Sequence, residues 1–470
     1  MNRLLSICLA LSLPAFTFAQ GTSGTEAFSS LPPAPMPQQT ATPVVPSAPN
    51  GEVQGGPSQS RAGAPTVLSL KDAQALALKN NPQISVARLT ALASQQVTRE
   101  VRSNLWPTAT VALTAADANT GARITAGVLN NPSVYERAAG GAFVSQLLTD
   151  FGRTTNLISS ANLAAKAENQ NAAATKEQIL LAVDQAFYNT LQTHAVLTVA
   201  QQTVKERQTV ADQIDALFKS KLKSELDLSF ANVNLAQAKL LLLDAQNNEN
   251  AALASLSAVL GFSNLQNFQL AEDSTPITPP QSDVDDLIST AFAMRPEILA
   301  LEFQSESAKK FHIAERDLLL PDIRALAAVG DTPIRNPLIT SNWYGAVGVN
   351  VDIPVFNGFL YTARSRESQL RAQATDERLR DLRDRISRDV RTSWLNANTA
   401  YERLAVTQQL VEQATLALSL AQSRYNLGLG SIVELSQAQL QQTQAEISNA
   451  EAGYDYRLAL AVLQYQTRGI

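Results

Sequence analysis

Side chains able to do chemistry are few in this chain and poorly spaced for it. Cys8 is the single thiol, and it lies inside the apolar run from Leu4 to Phe18 that follows Met1, Asn2 and Arg3 and ends at Thr17-Phe18-Ala19. That pattern is a secretory signal peptide (residues 1–19) cut after Ala19. Only Leu4 to Ile7 precede Cys8, too short a stretch for a lipoprotein signal, so no lipid anchor is expected. Loss of Cys8 with the signal excludes thiol catalysis, disulfides and cysteine-ligated metal. His194 and His312 are the two imidazoles. They fall in separate helical stretches without a metal-spaced or catalytic partner, so both read as surface residues. The many carboxylates sit in mixed-charge runs typical of solvated helix faces. The expectation is a protein that is not an enzyme and that uses no cofactor and no metal.

The net charge of -5, from 37 basic and 42 acidic side chains, argues against a nucleic-acid partner, which wants a concentrated basic face. After Ala19 no run of 18 or more apolar residues occurs, so no transmembrane helix is available. A membrane crossing by this chain must be a β-barrel.

Residues 20–65 are rich in Pro, Ser, Thr, Gly and Ala and read as a disordered leader. Beyond them lies an internal tandem duplication. Asn81-Pro82 precedes Trp106-Pro107 by the same 25 residues that separate Arg295-Pro296 from Leu320-Pro321. Farther on, Val183–Asn189 matches Val390–Asn396 and Ser224–Leu228 matches Ser431–Leu435, both at an offset of 207. The first repeat is expected over residues 66–262, a linker over 263–282 and the second repeat over 283–470. Each reads as helix, two short strands, very long helix, tight turn and helix. Helices are predicted over Leu70–Leu105, Arg153–Lys219 and Glu225–Leu260, then over Val284–Leu319, Phe359–Asn426 and Ile432–Tyr465. A helix near 67 residues is about 100 Å long. Its seam is written at sevenfold spacing as Val183, Thr190, Leu197, Val204, Ala211 and Phe218, and again as Val390, Ala397, Leu404, Val411, Leu418 and Tyr425.

The strand segments alternate. Ala109, Val111, Leu113 and Ala115 share a face, as do Ile323, Ala325, Ala327 and Val329, and Trp343, Val347, Val349, Val351 and Ile353. Ala142–Thr149 alternates less cleanly. One face suits lipid and one water. Four strands cannot close a barrel, whose usual minimum is about eight, so copies must assemble; three chains would supply twelve strands and room for a pore.

These features, with Asp150-Phe151-Gly152, Pro354-Val355-Phe356-Asn357-Gly358 and the turn Tyr425-Asn-Leu-Gly-Leu-Gly-Ser-Ile-Val-Glu-Leu435, resemble the TolC outer-membrane efflux family from about Val67 onward. The resemblance implies a mixed α/β membrane protein: a homotrimer with one 12-stranded transmembrane β-barrel, four strands per chain, continued by a 12-helix periplasmic α-barrel. It implies a passive exit duct of a tripartite efflux or type I secretion system, carrying small molecules or polypeptides, with a periplasmic adaptor and an inner-membrane transporter as partners. By motif position it assigns Glu434, Asp227 and Tyr425 to a gate at the tunnel's inner tip, and Leu427, Gly428, Leu429, Gly430 and Leu222 to adaptor contact. The family's network arginine falls on Gly430 and its second ring acid on Gln437. Physically, symmetry copies of Glu434 at a constriction would favour cations. The plainer role for Glu434 is to complement a helix N-terminus, worth about 0.3–1 kcal/mol. From a different class, a soluble periplasmic coiled-coil scaffold is the competing reading.

Overall fold

A computed structural model describes residues 67–117, 137–266, 268–272, 276–280, 283–334 and 340–468. The expected signal peptide and leader lie outside the described residues. In chain order the elements begin with β1 (Val67–Leu68), α1 (Leu70–Asn80), α2 (Pro82–Ser103), β2 (Thr108–Ala116), β3 (Arg137–Thr149), α3 (Arg153–Lys219) and α4 (Glu225–Val259). They continue with β4 (Gln269–Leu270), α5 (Val284–Met294), α6 (Pro296–Arg316), β5 (Asp322–Ile334), β6 (Trp343–Asp352), α7 (Leu360–Asn426) and α8 (Ile432–Arg468). The order helix pair, strand pair, long helix, helix thus occurs twice. No described helix is long and apolar enough to cross a membrane.

Where the sequence predicts one helix over Leu70–Leu105, the structure has two. A proline ring clashes with a helical residue before it and offers no N–H, so Asn81 turns extended at φ -68°, ψ 123°. Pro82 then opens α2 in the first turn, where no donor is missed, and the Asn81 side-chain oxygen accepts from Gln83 N at 2.9 Å. The predicted Val284–Leu319 helix breaks at Arg295 for the same reason, with φ -69°, ψ 125° ahead of Pro296.

The four longer strands form one antiparallel sheet in the order β2-β3-β5-β6. Its register aligns Ala109, Val144, Ala327 and Val347 in one row and Val111, Ala142, Val329 and Gly345 in the next. The alternating apolar faces read from separate segments therefore merge into one continuous face. β3 starts earlier than its alternation indicates, and its register shifts between Ala138 and Gly140 and between Leu147 and Thr149; such irregularities break period-two patterning. Gly141 and Gly330 lie beneath the Tyr344 ring, where any Cβ would overlap the phenol.

Paired left-handed residues turn strand into helix: Phe151 (φ 54°) and Gly152 (φ 105°) before α3, Gly358 (φ 62°) and Phe359 (φ 68°) before α7. The Asp150 carboxylate accepts from Thr154 N at 2.7 Å and fixes the first of these. α3 then packs against α1, α2, α4, α6 and α8, and α7 against α5, α6 and α8. Where α1 meets the end of α4, Ala73 and Ala77 close on Leu256 and Leu260 over Val183 and Phe187. The second half makes the equivalent junction with Leu287, Ile288 and Leu463 over Ile386 and Val390. Short helices thus stack end to end along each long one.

At the first junction Asp184 is buried and accepts from Gln74 Nε2 at 2.6 Å. Burial, against that hydrogen bond, pushes its carboxyl up from 3.8 to about 6. A raised carboxyl pKa stabilises the fold fully below its unfolded value near 3.8, and that contribution is lost as pH rises through about 6. Thermal unfolding followed by circular dichroism is expected to show Asp184→Asn melting higher than wild type at pH 7.5, with less pH dependence between pH 4 and 7.

Candidate functional site

Two helix reversals join α3 to α4 and α7 to α8. In the first, Ser220 N reaches Ala216 O at 3.2 Å and Leu222 N reaches Leu217 O at 2.9 Å. In the second, Leu427 N reaches Ser423 O at 3.0 Å and Leu429 N reaches Arg424 O at 2.8 Å. Both close their last helical turn the same way. The left-handed position is held by Gly428 (φ 74°) in one and by Lys221 (φ 62°) in the other. Gly430 does not take a positive angle. Its smallness serves a different end, because a Cβ there would lie 3.2 Å from Arg424 Cβ and from Glu434 Oε2.

Ser224 caps α4: its Oγ accepts from Asp227 N at 3.2 Å, while Asp227 Oδ2 accepts from Ser224 N at 3.1 Å and from its hydroxyl at 2.7 Å. This is a reciprocal capping box. Burial pushes the Asp227 carboxyl up, but the Ser224 bonds, Lys223 and Tyr425 outweigh it and hold the group below its ordinary value. Tyr425 is buried in the apolar cluster of Ala211, Ile214, Ala231, Leu235, Ile432 and Leu435. Its hydroxyl makes no well-aligned hydrogen bond, and burial together with the Asp227 charge pushes the phenol up to about 12. Lys223 Nζ stands 3.7 Å above its ring centroid, a cation–π contact.

The structure therefore brings Asp227 and Tyr425 together. Glu434 Oε1 pairs with Arg424 Nε at 3.1 Å. Ser431 Oγ caps α8 by accepting from Glu434 N at 3.1 Å. Neither Arg424 nor Lys223 is singled out by the motifs, although Arg424 in the last turn of one helix and Glu434 in the first turn of the next is a signal visible in sequence. Leu222, Leu427 and Leu429 are 70%, 74% and 71% exposed and project from the reversals. Gln437 lines a groove of about 490 Å³ with Asn234, Ser436 and Arg207. Arg207, a third residue not anticipated, is buried and donates to Gln439 O at 2.8 Å and to Thr443 Oγ1 at 3.0 Å. Of the imidazoles, His194 meets Glu249 at 2.6 Å and His312 meets Ser368 at 3.1 Å.

A strand sheet with one continuous apolar face, prolonged by helices of 67 residues that end in a charged, tightly capped tip, is the architecture of a membrane channel with a helical tunnel. The chain belongs to the outer membrane efflux protein family, whose pattern matches residues 61–262 and 287–465. It is 21% identical over 336 residues to the outer membrane efflux protein BepC of Brucella suis, covering 70% of this chain and 72% of that one. It is 20% identical over 293 residues to the outer membrane protein TolC of Escherichia coli, covering 60% of this chain and 59% of TolC. The outer membrane protein VceC of Vibrio cholerae superposes with a TM-score of 0.73 at 17% identity, over 85% of this chain and 96% of that one. The protein is an outer-membrane efflux channel.

Removing the cap by Ser224→Ala is expected to cost about 1 kcal/mol. Gly428→Ala, which forces a side chain into a left-handed position, is expected to cost about 1–2 kcal/mol. Denaturant titrations of the detergent-solubilised protein, read by circular dichroism, check both.

Proposed function

We propose that three copies of this chain assemble into one duct, twelve strands closing a barrel in the outer membrane and twelve helices enclosing a periplasmic tunnel. The observation that carries this reading is the sheet itself: four strands with an apolar face and two outer strands, β2 and β6, exposed along their length. Backbone groups on an open edge have no water to pair with in hydrocarbon, so the edge must meet another strand. Two chains would make eight strands with an interior filled by side chains, whereas twelve leave a pore.

The duct acts passively in a tripartite efflux or type I secretion system, delivering small molecules or polypeptides from an inner-membrane transporter through a periplasmic adaptor. Asp227, Tyr425 and Glu434 form the gate at the inner tip. Leu222, Leu427, Gly428, Leu429 and Gly430 receive the adaptor, and the exposure of the three leucines supports that role.

Detergent-extracted protein is expected to have the mass of a trimer and to open discrete single channels in a planar bilayer. A soluble, non-conducting monomer would defeat the duct. Leu429→Asp is expected to leave the trimer intact and to abolish export in cells; export at the wild-type level would remove the adaptor assignment.

A further inference from the structure

The second reversal brings opposite charges together by construction. Arg424 lies in the last turn of α7 and Glu434 in the first turn of α8, so each complements the end of its own helix dipole. The turn sets those two helix ends side by side. Arg424 Nε then meets Glu434 Oε1 at 3.1 Å, and its Nη2 lies 3.4 Å from the Leu429 carbonyl oxygen. Gly430 leaves the space for this pair. On the other reversal Lys223 acts on Asp227, whose carboxylate is engaged by Ser224, and Lys219 is bound to Asp215 at 2.6 Å.

We infer that Arg424 determines the ion preference of the channel's inner mouth: by pairing with Glu434 it cancels most of the field that carboxylate would project into the pore. The inference rests on the exit-duct reading. Both partners are about half exposed, so the pair contributes little to stability. Its effect is on the field. A carboxylate in contact with a guanidinium presents a dipole, whose potential falls off faster with distance than that of a free charge. Symmetry copies around a constriction multiply the difference. With the pair intact the mouth has little preference between small cations and anions, and it admits anionic as well as neutral cargo.

Reversal potentials of the full-length channel in planar bilayers under a KCl gradient test this. Wild type is expected to lie near zero preference. Arg424→Gln frees Glu434 and is expected to raise the potassium-to-chloride permeability ratio several-fold, Arg424→Lys to stay near wild type, and Glu434→Gln to lower the ratio several-fold. Gly430→Ala, which crowds the pair but removes no charge, should move the ratio in the direction of Arg424→Gln by less. If Arg424→Gln fails to assemble, the shift in Glu434→Gln decides. A conducting wild type whose ratio is unchanged in both charge variants overturns the role of Arg424 and leaves the duct standing, as does a wild type that is already strongly cation-selective. A wild type that does not conduct overturns the duct and this inference with it.

Discussion

A helix of 67 residues is about 100 Å long, and the fold depends on a narrow lateral seam being filled along all of it. Much of that seam is alanine. Ala231, Ala238, Ala245 and Ala252 on α4, and Ala438, Ala445 and Ala452 on α8, recur every seven residues and are all buried. On α7 burial alternates between the row of Val390 and Ala397 and a second row, Thr407, Ala414 and Ala421, offset by three residues in the coiled-coil manner. Small side chains let the backbones approach closely while each helix keeps wide polar faces. Such a seam leaves the other faces of the helices free to meet water.

Two prolines punctuate this regularity. Pro82 and Pro296 each end a short helix and start another, and around the second break the structure buries the charged Arg295 between the buried Ala291 and Ala300. Arg295 donates to Gln466 Oε1 at 2.7 Å, pairs with Glu297 at 3.1 Å and lies over the Tyr465 ring. Burial first, then the neighbouring Glu297, pushes the Glu177 carboxyl up to about 7 against Arg295 and Lys176. With Asp184 at the first junction, the middle of the helical wall holds titratable groups whose charged forms are disfavoured near neutrality.

At the tip, turn geometry and electrostatics are one problem. The hydrogen bonds that close each reversal position the helix ends, the capping box occupies Asp227, and the width of Gly430 decides whether Arg424 can reach Glu434. The arginine thus enters through the end of α7, while the position where the family resemblance puts its network arginine is occupied by a glycine.

The residue pattern by itself determined element types, the limits of the long helices, the strand faces and the positions of the reversals, because periods of seven and two and the backbone restrictions of proline and glycine are local properties. The family resemblance, not the pattern, pointed to Tyr425 and Asp227. Tertiary structure decided what depends on geometry between segments distant in sequence: that the apolar faces of four strands share one side of a sheet, that β3 carries register shifts beside glycines crossed by Tyr344, and that Arg207 is buried. It decided too that Glu434 belongs to Arg424. Periodicity records which side of an element is apolar, but the partner of a charge follows from where two helix ends are placed in space.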